Sequence, residues 1–487
     1  MVGSMKKNNK LYKIAILLIG LFLAVCCTYS TKPKDPNKLP NTTVANIPVD
    51  GDTINAYVTI HWDGEDSDGY VTSYKYRYIT YHLTKGDTVV TDWVTTNLTS
   101  KTIAFESSDE LNFQHFEVKA IDNEGGEDPT PAVKEFYTVK AYSPETYIVS
   151  PQENQDLFIL PQTTDWWTGI KVVFGSKDRD GEVVEYGYRV DGQGDWTWLE
   201  DTMAVLTPDE FALPLTGTHV IEVVAKDNTG IVDPTPATVQ IVLFEPTFDK
   251  NILIIDETKE GDQTPGFTTD AQVDSFYNEL FNPDTTIDYF TSGLPPKHIL
   301  GRYKLLIWHS DYNFDRHNIG NEKDYIIEYL QAGGKLVLSG WRIIKSFDLG
   351  ASFPQVYESE SFLSEYLHVV GANESPSVDG AFAWARGRNG YPDIHLNKEI
   401  RAINDFPYFG GLTNVNIITP GAFTRVIYRF QCKETTSDNI RSVFQDRPCA
   451  IRYLGSSFDI ILFGFPILYI NPDEAKLMAN KILEDLL

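Results

Sequence analysis

Cysteine is almost missing from this chain: there are four in 487 residues, and two of them, Cys26 and Cys27, are adjacent near the N-terminus. So few thiols exclude a disulfide-built scaffold. Positive charge is scarce as well. Lys and Arg number 41 against 68 Asp and Glu, a formal charge of −27, which repels phosphate backbones and argues against nucleic acid as a partner. No apolar run is long enough to span a bilayer, because the longest, Ile14–Val25, has 12 residues where a spanning helix needs about 20. No local motif shows a nucleophile beside its base. What remains is 42% hydrophobic and 13% aromatic, the composition of a globular chain, and its length predicts about three domains.

The short apolar run follows the basic stretch Met5–Lys13, as in a signal peptide. Met1-Val-Gly-Ser4, ahead of it, reads as a vector scar or an upstream start. Leu21-Phe-Leu-Ala-Val-Cys-Cys27 resembles a bacterial lipobox, in which cleavage precedes a Cys that is then lipidated. With Cys26 modified, Val25 occupies the small-residue position; with Cys27 modified, Cys26 does. The resemblance implies a signal peptide over 1–27, a polar tether with three Pro over 28–40, and a lipid anchor holding the protein to the cell envelope. That location would be the periplasmic or surface face of an outer membrane, as in envelope lipoproteins of the Bacteroidota type. An ordinary signal peptide is the alternative.

Two blocks then repeat. Val58–Arg77 returns as Ile170–Arg189, carrying Asp66, Asp68, Gly69, Tyr74, Tyr76 and Arg77 onto Asp178, Asp180, Gly181, Tyr186, Tyr188 and Arg189. Glu117–Asn123 with Asp128-Pro-Thr-Pro-Ala132 returns as Glu222–Asn228 with Asp233-Pro-Thr-Pro-Ala237. Alternating apolar residues such as Val58, Ile60 and Trp62 predict half-buried strands, with Asp-x-Asp-Gly as the turn. These are two copies of one all-β domain, over 41–142 and 143–246, resembling fibronectin type III or immunoglobulin-like sandwiches. Trp196 and Trp198 share one strand face, and with Trp166 and Trp167 they offer aromatic faces to a sugar or pack structurally. Asp63, Asp66 and Asp68, with Asp178 and Asp180, offer oxygens to Ca2+ or cap their own turns.

From residue 247 the period changes. Asn251–Asp256, Thr286–Phe290, Tyr303–Trp308, Lys335–Ser339 and Phe458–Gly464 read as strands, and Thr269–Phe281, Asn321–Ala332 and a last segment capped by Asn471 read as helices. Alternation of this kind predicts an α/β, three-layer domain with a parallel sheet over 247–487, interrupted by an insertion at about 342–450. The strand order and Phe463-Gly-Phe-Pro466 resemble the class I glutamine amidotransferase-like, flavodoxin-like fold. The resemblance implies a nucleophilic Cys on the turn after Lys335–Ser339, where this chain has Gly340 and Trp341, so it implies no glutaminase reaction.

A hydrolase would instead use Ser339 with His309 as base and Asp311 or Asp256 as orienter; His309, Asp311 and His317 are also candidate metal ligands. Trp341, Arg386 and Arg388 are candidate ligand contacts, with Trp341 alternatively packing beneath the insertion. Cys432 and Cys449 form a disulfide or remain two free thiols. Three functions fit the sequence: a non-catalytic anchored protein binding a glycan, peptide or protein; a surface hydrolase; and a purely structural surface protein.

Overall fold

The computed structural model describes residues 35–259, 268–312, 316–348 and 352–487. The signal peptide, Cys26, Cys27 and the start of the tether lie outside the described residues. Among the described residues no helix is long and apolar enough to cross a membrane. The chain is multidomain and mostly β, and by contact it divides into two compact units. One is Met1–Pro144 with Asp178–Val183 and Asp227–Val232; the other holds the remainder.

The first unit contains a sandwich. Asn41–Val44, Tyr57–Glu65 and Ser100–Ala104 form one sheet, and Val71–His82, Leu111–Asp122 and Ala132–Val139 are the main strands of the other. Along Leu111–Asp122 every second side chain is buried, the period of a strand with one wet face. Ile60 and Trp62 from one sheet meet Tyr74, Phe116, Val118 and Phe136 from the other in a single core. The Asp-x-Asp-Gly turn is held by Asp66 Oδ1, which accepts from Asp68 N at 3.3 Å. Glycine after it leaves room for the Asn123 side chain, whose Oδ1 would lie 2.1 Å from a Cβ at Gly69.

The second sandwich repeats this plan. Glu145–Ser150, Ile170–Lys177 and Met203–Leu206 form one sheet, and Gln155–Phe158, Val183–Val190, Thr197–Leu199, Gly217–Asp227 and Ala237–Phe244 the other. Its Phe158 and Trp166 pack into the core of the domain that follows, with Trp166 edge-on to Phe458 at 4.8 Å. That contact, and not a sugar, occupies Trp166; Trp167 is buried beside it.

The last domain has β1 (Lys250–Asp256), α1 (Asp270–Phe281), β2 (Thr285–Asp288), β3 (Tyr303–Ser310), α2 (Lys323–Gln331), β4 (Lys335–Gly340), β5 (Phe382–Gly387), β6 (Ile394–His395), β7 (Thr424–Cys432), β8 (Pro448–Leu454), β9 (Asp459–Phe463) and α3 (Pro472–Leu486). One nine-stranded sheet runs β2-β1-β3-β4-β9-β8-β7-β5-β6. Its first five strands are parallel and the remainder antiparallel, so the expectation of a wholly parallel sheet is corrected to a mixed one. The segment expected as an insertion supplies β5, β6, β7 and the start of β8. It extends the sheet because Thr-Arg-Val-Ile-Tyr-Arg-Phe-Gln-Cys and its neighbours pair edge to edge. Both faces of β1 are buried, Ile252 and Ile254 under α1 and α3, Leu253 and Ile255 on the side of α2, which is why parallel strands read as continuous apolar runs. Asn471 caps α3 through Asp473 N and Glu474 N, with Pro472 in its first turn.

Candidate functional site

The parallel strands end together, and the residues on their last rung carry chemistry. Asp256 of β1 is aligned with His309 of β3, and His309 with Ser339 of β4. Their parity is that of Ile254, Ile307 and Val337, so all three point to the α1 face. Thr269 caps α1 through Gln272 N in a capping box. That start sets Asp270 and Asp274 one turn apart and brings their carboxylates to Asp256, with ligand oxygens of all three within 4.8 Å of one another. One further turn on, the Tyr277 ring lies on the His309 ring at 3.6 Å, and its hydroxyl donates to Asp311 Oδ1 at 3.1 Å.

His309 is fully buried. Its Nδ1 lies 2.7 Å from Asp311 Oδ2 and 3.5 Å from Asp256 Oδ1, yet neither ring nitrogen meets hydrogen-bond geometry. Burial opposes its charged form, but Asp256 and Asp311, with Asp274 behind them, outweigh burial and raise its pKa above the ordinary value. Asp274, partly open to solvent, is pushed up to about 6 by burial and by the Asp256 carboxylate beside it. Among the described residues no Lys or Arg pairs with Asp256, Asp274 or Asp311. The cluster therefore concentrates negative charge against one imidazole. Electrostatically it suits a cation or a partner carrying one.

On the opposite face Glu257 is buried but fully engaged. It accepts from Trp308 Nε1 and Ser310 Oγ, each at 3.1 Å, from Ile319 N at 3.2 Å and from Asn318 N. Burial still raises its pKa against those donors. Glu257 fixes the loop after β3 and stands apart from the cluster.

The hydrolase candidates are brought together only in part. His309 and Asp311 are adjacent, but Ser339 Oγ donates to the Phe465 carbonyl at 3.3 Å and accepts from Ile467 N at 3.1 Å, with no hydrogen bond to His309. At Gly340 a Cβ would lie 2.5 Å from the Ser310 carbonyl oxygen, so the turn admits no side chain, thiol or otherwise. Trp341 is wholly buried; it stacks on Tyr408 at 5.8 Å and donates from Nε1 to the Thr413 carbonyl at 2.9 Å. It packs beneath the 342–450 segment. His317 is engaged with the Trp341 carbonyl at 2.7 Å.

The remaining candidates do not converge. Arg189 lies over the Trp196 ring at 4.4 Å and Lys226 over Trp198 at 5.3 Å, while Gly187 leaves the space that Trp198 fills. Trp93 in the first sandwich is likewise covered, by Arg77 and Lys119. Arg386 binds Asp446 and Gln431, and Arg388 reaches the Gly387 carbonyl. Asp178 caps Asp180 N as Asp66 caps Asp68 N, and Asp63 accepts from Gly64 N. Among the described residues Asp256, Asp270 and Asp274 are the group whose ligand atoms converge; Asp63, Asp66, Asp68, Asp178 and Asp180 are not brought together in this way. The expected Cys432–Cys449 disulfide is absent, and both thiols are free and buried. Register explains this: Arg429 pairs with Pro448 in an antiparallel ladder, which leaves the two cysteines about four residues, or roughly 13 Å, apart along the strands, beyond disulfide reach.

Asp270, Asp274 and Tyr277 were not legible as site residues. The signal that could have found them is their spacing of four and three on one predicted helix that follows a strand ending in Asp256.

No protein-family model matches the chain, and no curated protein matches it. Among solved structures it is similar to the fibronectin(III)-like modules of Clostridium thermocellum CbhA, at 19% identity over 42% of this chain and 94% of that one, TM-score 0.21. It is similar also to the FN1-FN3 domains of chicken CNTN1, at 16% identity over 42% of this chain and 65% of that one, TM-score 0.19. A third likeness is to three N-terminal domains of the bacteriophage RB49 Hoc protein, at 13% identity over 44% and 64%, TM-score 0.17. At such scores the likenesses carry no argument, and the sandwich assignment rests on the strands described above.

Proposed function

We propose that this protein is a lipid-anchored component of a cell envelope that binds a ligand without transforming it. Cys26 or Cys27 carries the lipid, residues 28–40 form the tether, and two immunoglobulin-like sandwiches lead to the binding domain. That last domain is flavodoxin-like and related to the class I glutamine amidotransferase-like fold. Its five parallel strands support this, since in chain order they run second, first, third, fourth, last, the doubly wound order that binds ligands where the order reverses. Here the reversal lies between β1 and β3, where Asp256 and His309 end their strands.

The observation that carries the binding reading is the pairing of a closed turn with an acidic cluster partly open to solvent. Catalysis on this fold needs a nucleophile after β4, and Gly340 there touches the Ser310 backbone too closely for any side chain. Asp270 and Asp274, by contrast, open the cluster to solvent. The partner is a peptide or protein in preference to a glycan, because a cation already lies over one face of each indole suited to sugar stacking.

Peptide and glycan arrays probed with residues 28–487 and with Asp274→Asn test this. Peptide signals lost in the variant are expected; glycan signals indifferent to Asp274 would overturn the assignment. Mass spectrometry of the native protein is expected to find acyl chains on Cys26 or Cys27, and an unmodified N-terminus beyond residue 27 would remove the anchor.

A further inference from the structure

We propose that Asp256, Asp270 and Asp274 hold a divalent cation of the hard, oxygen-seeking class, with Mg2+ and Mn2+ as its natural members. The proposal rests on the binding reading above only in placing the ion in the same crevice. Three carboxylates from two elements converge within 4.8 Å, the approach that one small ion accepting an oxygen from each would bring about. Convergence of acidic groups alone would be a weak argument, since turns and helix starts gather them without an ion.

The second observation lies at the buried end of the group. His309 is wholly buried, makes no hydrogen bond through either nitrogen, and presents Nδ1 to Asp256 Oδ1 at 3.5 Å and to Asp311 Oδ2 at 2.7 Å. Asp311 Oδ2 is itself buried without a hydrogen-bond donor. An imidazole set behind a ligating carboxylate is the outer layer expected around a metal ligand: the ring lies beside Asp256, Asp311 pairs with its Nδ1, and Tyr277 clamps the ring from α1. One imidazole cannot balance Asp256, Asp274 and Asp311, with which no Lys or Arg pairs among the described residues.

The donor set selects the ion. Three carboxylate oxygens, two of them from residues partly open to solvent, leave positions for water or for an oxygen of the partner. That suits Mg2+ or Mn2+, which keep several waters, better than Ca2+, which takes six to eight oxygens. Zinc is disfavoured because no thiolate and no histidine belongs to the converging group. Asp288 lies outside the converging group, and its Oδ1 accepts from Phe290 N and Thr291 N at the start of its own short helix.

The test is Mn2+ titration of the full chain in detergent, followed by electron paramagnetic resonance and calorimetry, with no partner present. Wild type is expected to bind one Mn2+ that Mg2+ displaces, and Asp274→Asn and Asp270→Asn are each expected to weaken binding at least 100-fold while melting as folded proteins. Asp66→Asn and Asp178→Asn, in the sandwich turns, are expected to change nothing. Absence of saturable binding at millimolar Mn2+ would overturn the proposal, as would retention in both Asp270→Asn and Asp274→Asn. Loss in the sandwich variants instead would move the ion to those turns and overturn it equally. Metal binding without array signals would sink the partner and spare the ion; array signals that need Asp274 without metal binding would do the reverse.

Discussion

The Tyr277 ring lies flat on the His309 ring, with centroids 3.6 Å apart and planes 4° from parallel, so that one helix side chain closes the end of a strand on a neighbouring element. The same Tyr277 donates to Asp311, which lies at the Nδ1 edge of the histidine. A single residue thus fixes both the ring and its carboxylate.

Removing only the hydroxyl leaves the stack in place and takes a donor from a buried carboxylate. Tyr277→Phe is expected to lower stability by about 1–3 kcal/mol, and Tyr277→Ala by about 3–5 kcal/mol through the cavity it leaves. Urea melts of the two variants check the order. Equal losses would show that the ring adds nothing beyond its hydroxyl, and a Tyr277→Phe protein as stable as wild type would show that the hydroxyl contributes nothing.

Gly340 is held against the backbone of β3. A Cβ there would lie 2.5 Å from the Ser310 oxygen and 3.1 Å from the Ser310 Cβ, so Gly340→Ala is expected to cost about 1–3 kcal/mol. Gly340→Cys should lose comparable stability and gain no thiol that reacts with iodoacetamide. A stable, alkylatable Gly340→Cys protein would mean that the turn opens as an active elbow does.

Ser339 and Trp341 flank that glycine and have separate roles. Ser339→Ala removes a bridge between the Phe465 carbonyl and Ile467 N and is expected to cost about 1–2 kcal/mol with binding intact. Trp341→Ala is expected to cost about 3–5 kcal/mol, since the ring is wholly buried against Tyr408 and Tyr469. Thermal melts separate the two.

His317 gives the domain a pH dependence of known sign. Burial lowers its pKa to about 4, with Arg342 adding to that, although the hydrogen bond to Trp341 O works the other way. The unfolded chain takes up this proton near the ordinary 6.5, so folded stability is full above that value, falls as pH drops, and levels off near 4. The loss amounts to roughly 3 kcal/mol across the window. Urea melts at pH 7.5 and 4.5 should show a smaller drop in His317→Gln than in wild type, and equal drops would contradict the assignment.

The strands at 250–256, 303–310 and 335–340 were legible because both of their faces are buried, which leaves continuous apolar runs that no helix of that length would carry. The cap at Asn471 was legible for an equally local reason. β5 and β7 were not, because Arg386, Arg425 and Arg429 interrupt their apolar residues on half-exposed faces and make a strand resemble a loop. At the site, Asp256, His309 and Asp311 could be placed at strand ends, whereas Asp270 and Asp274 needed the rotation of α1 over the sheet. Spacing in sequence carries no register, which is why Cys432 and Cys449 looked like partners.

The most direct measurement is calorimetric titration of the strongest array peptide into wild type, Asp274→Asn and Ser339→Ala under one buffer. The account predicts at least a tenfold loss of affinity in Asp274→Asn, unchanged affinity in Ser339→Ala, and recovery of the peptide intact. Cleavage of the peptide by wild type that Ser339→Ala abolishes, with Asp274→Asn binding as well as wild type, would contradict it.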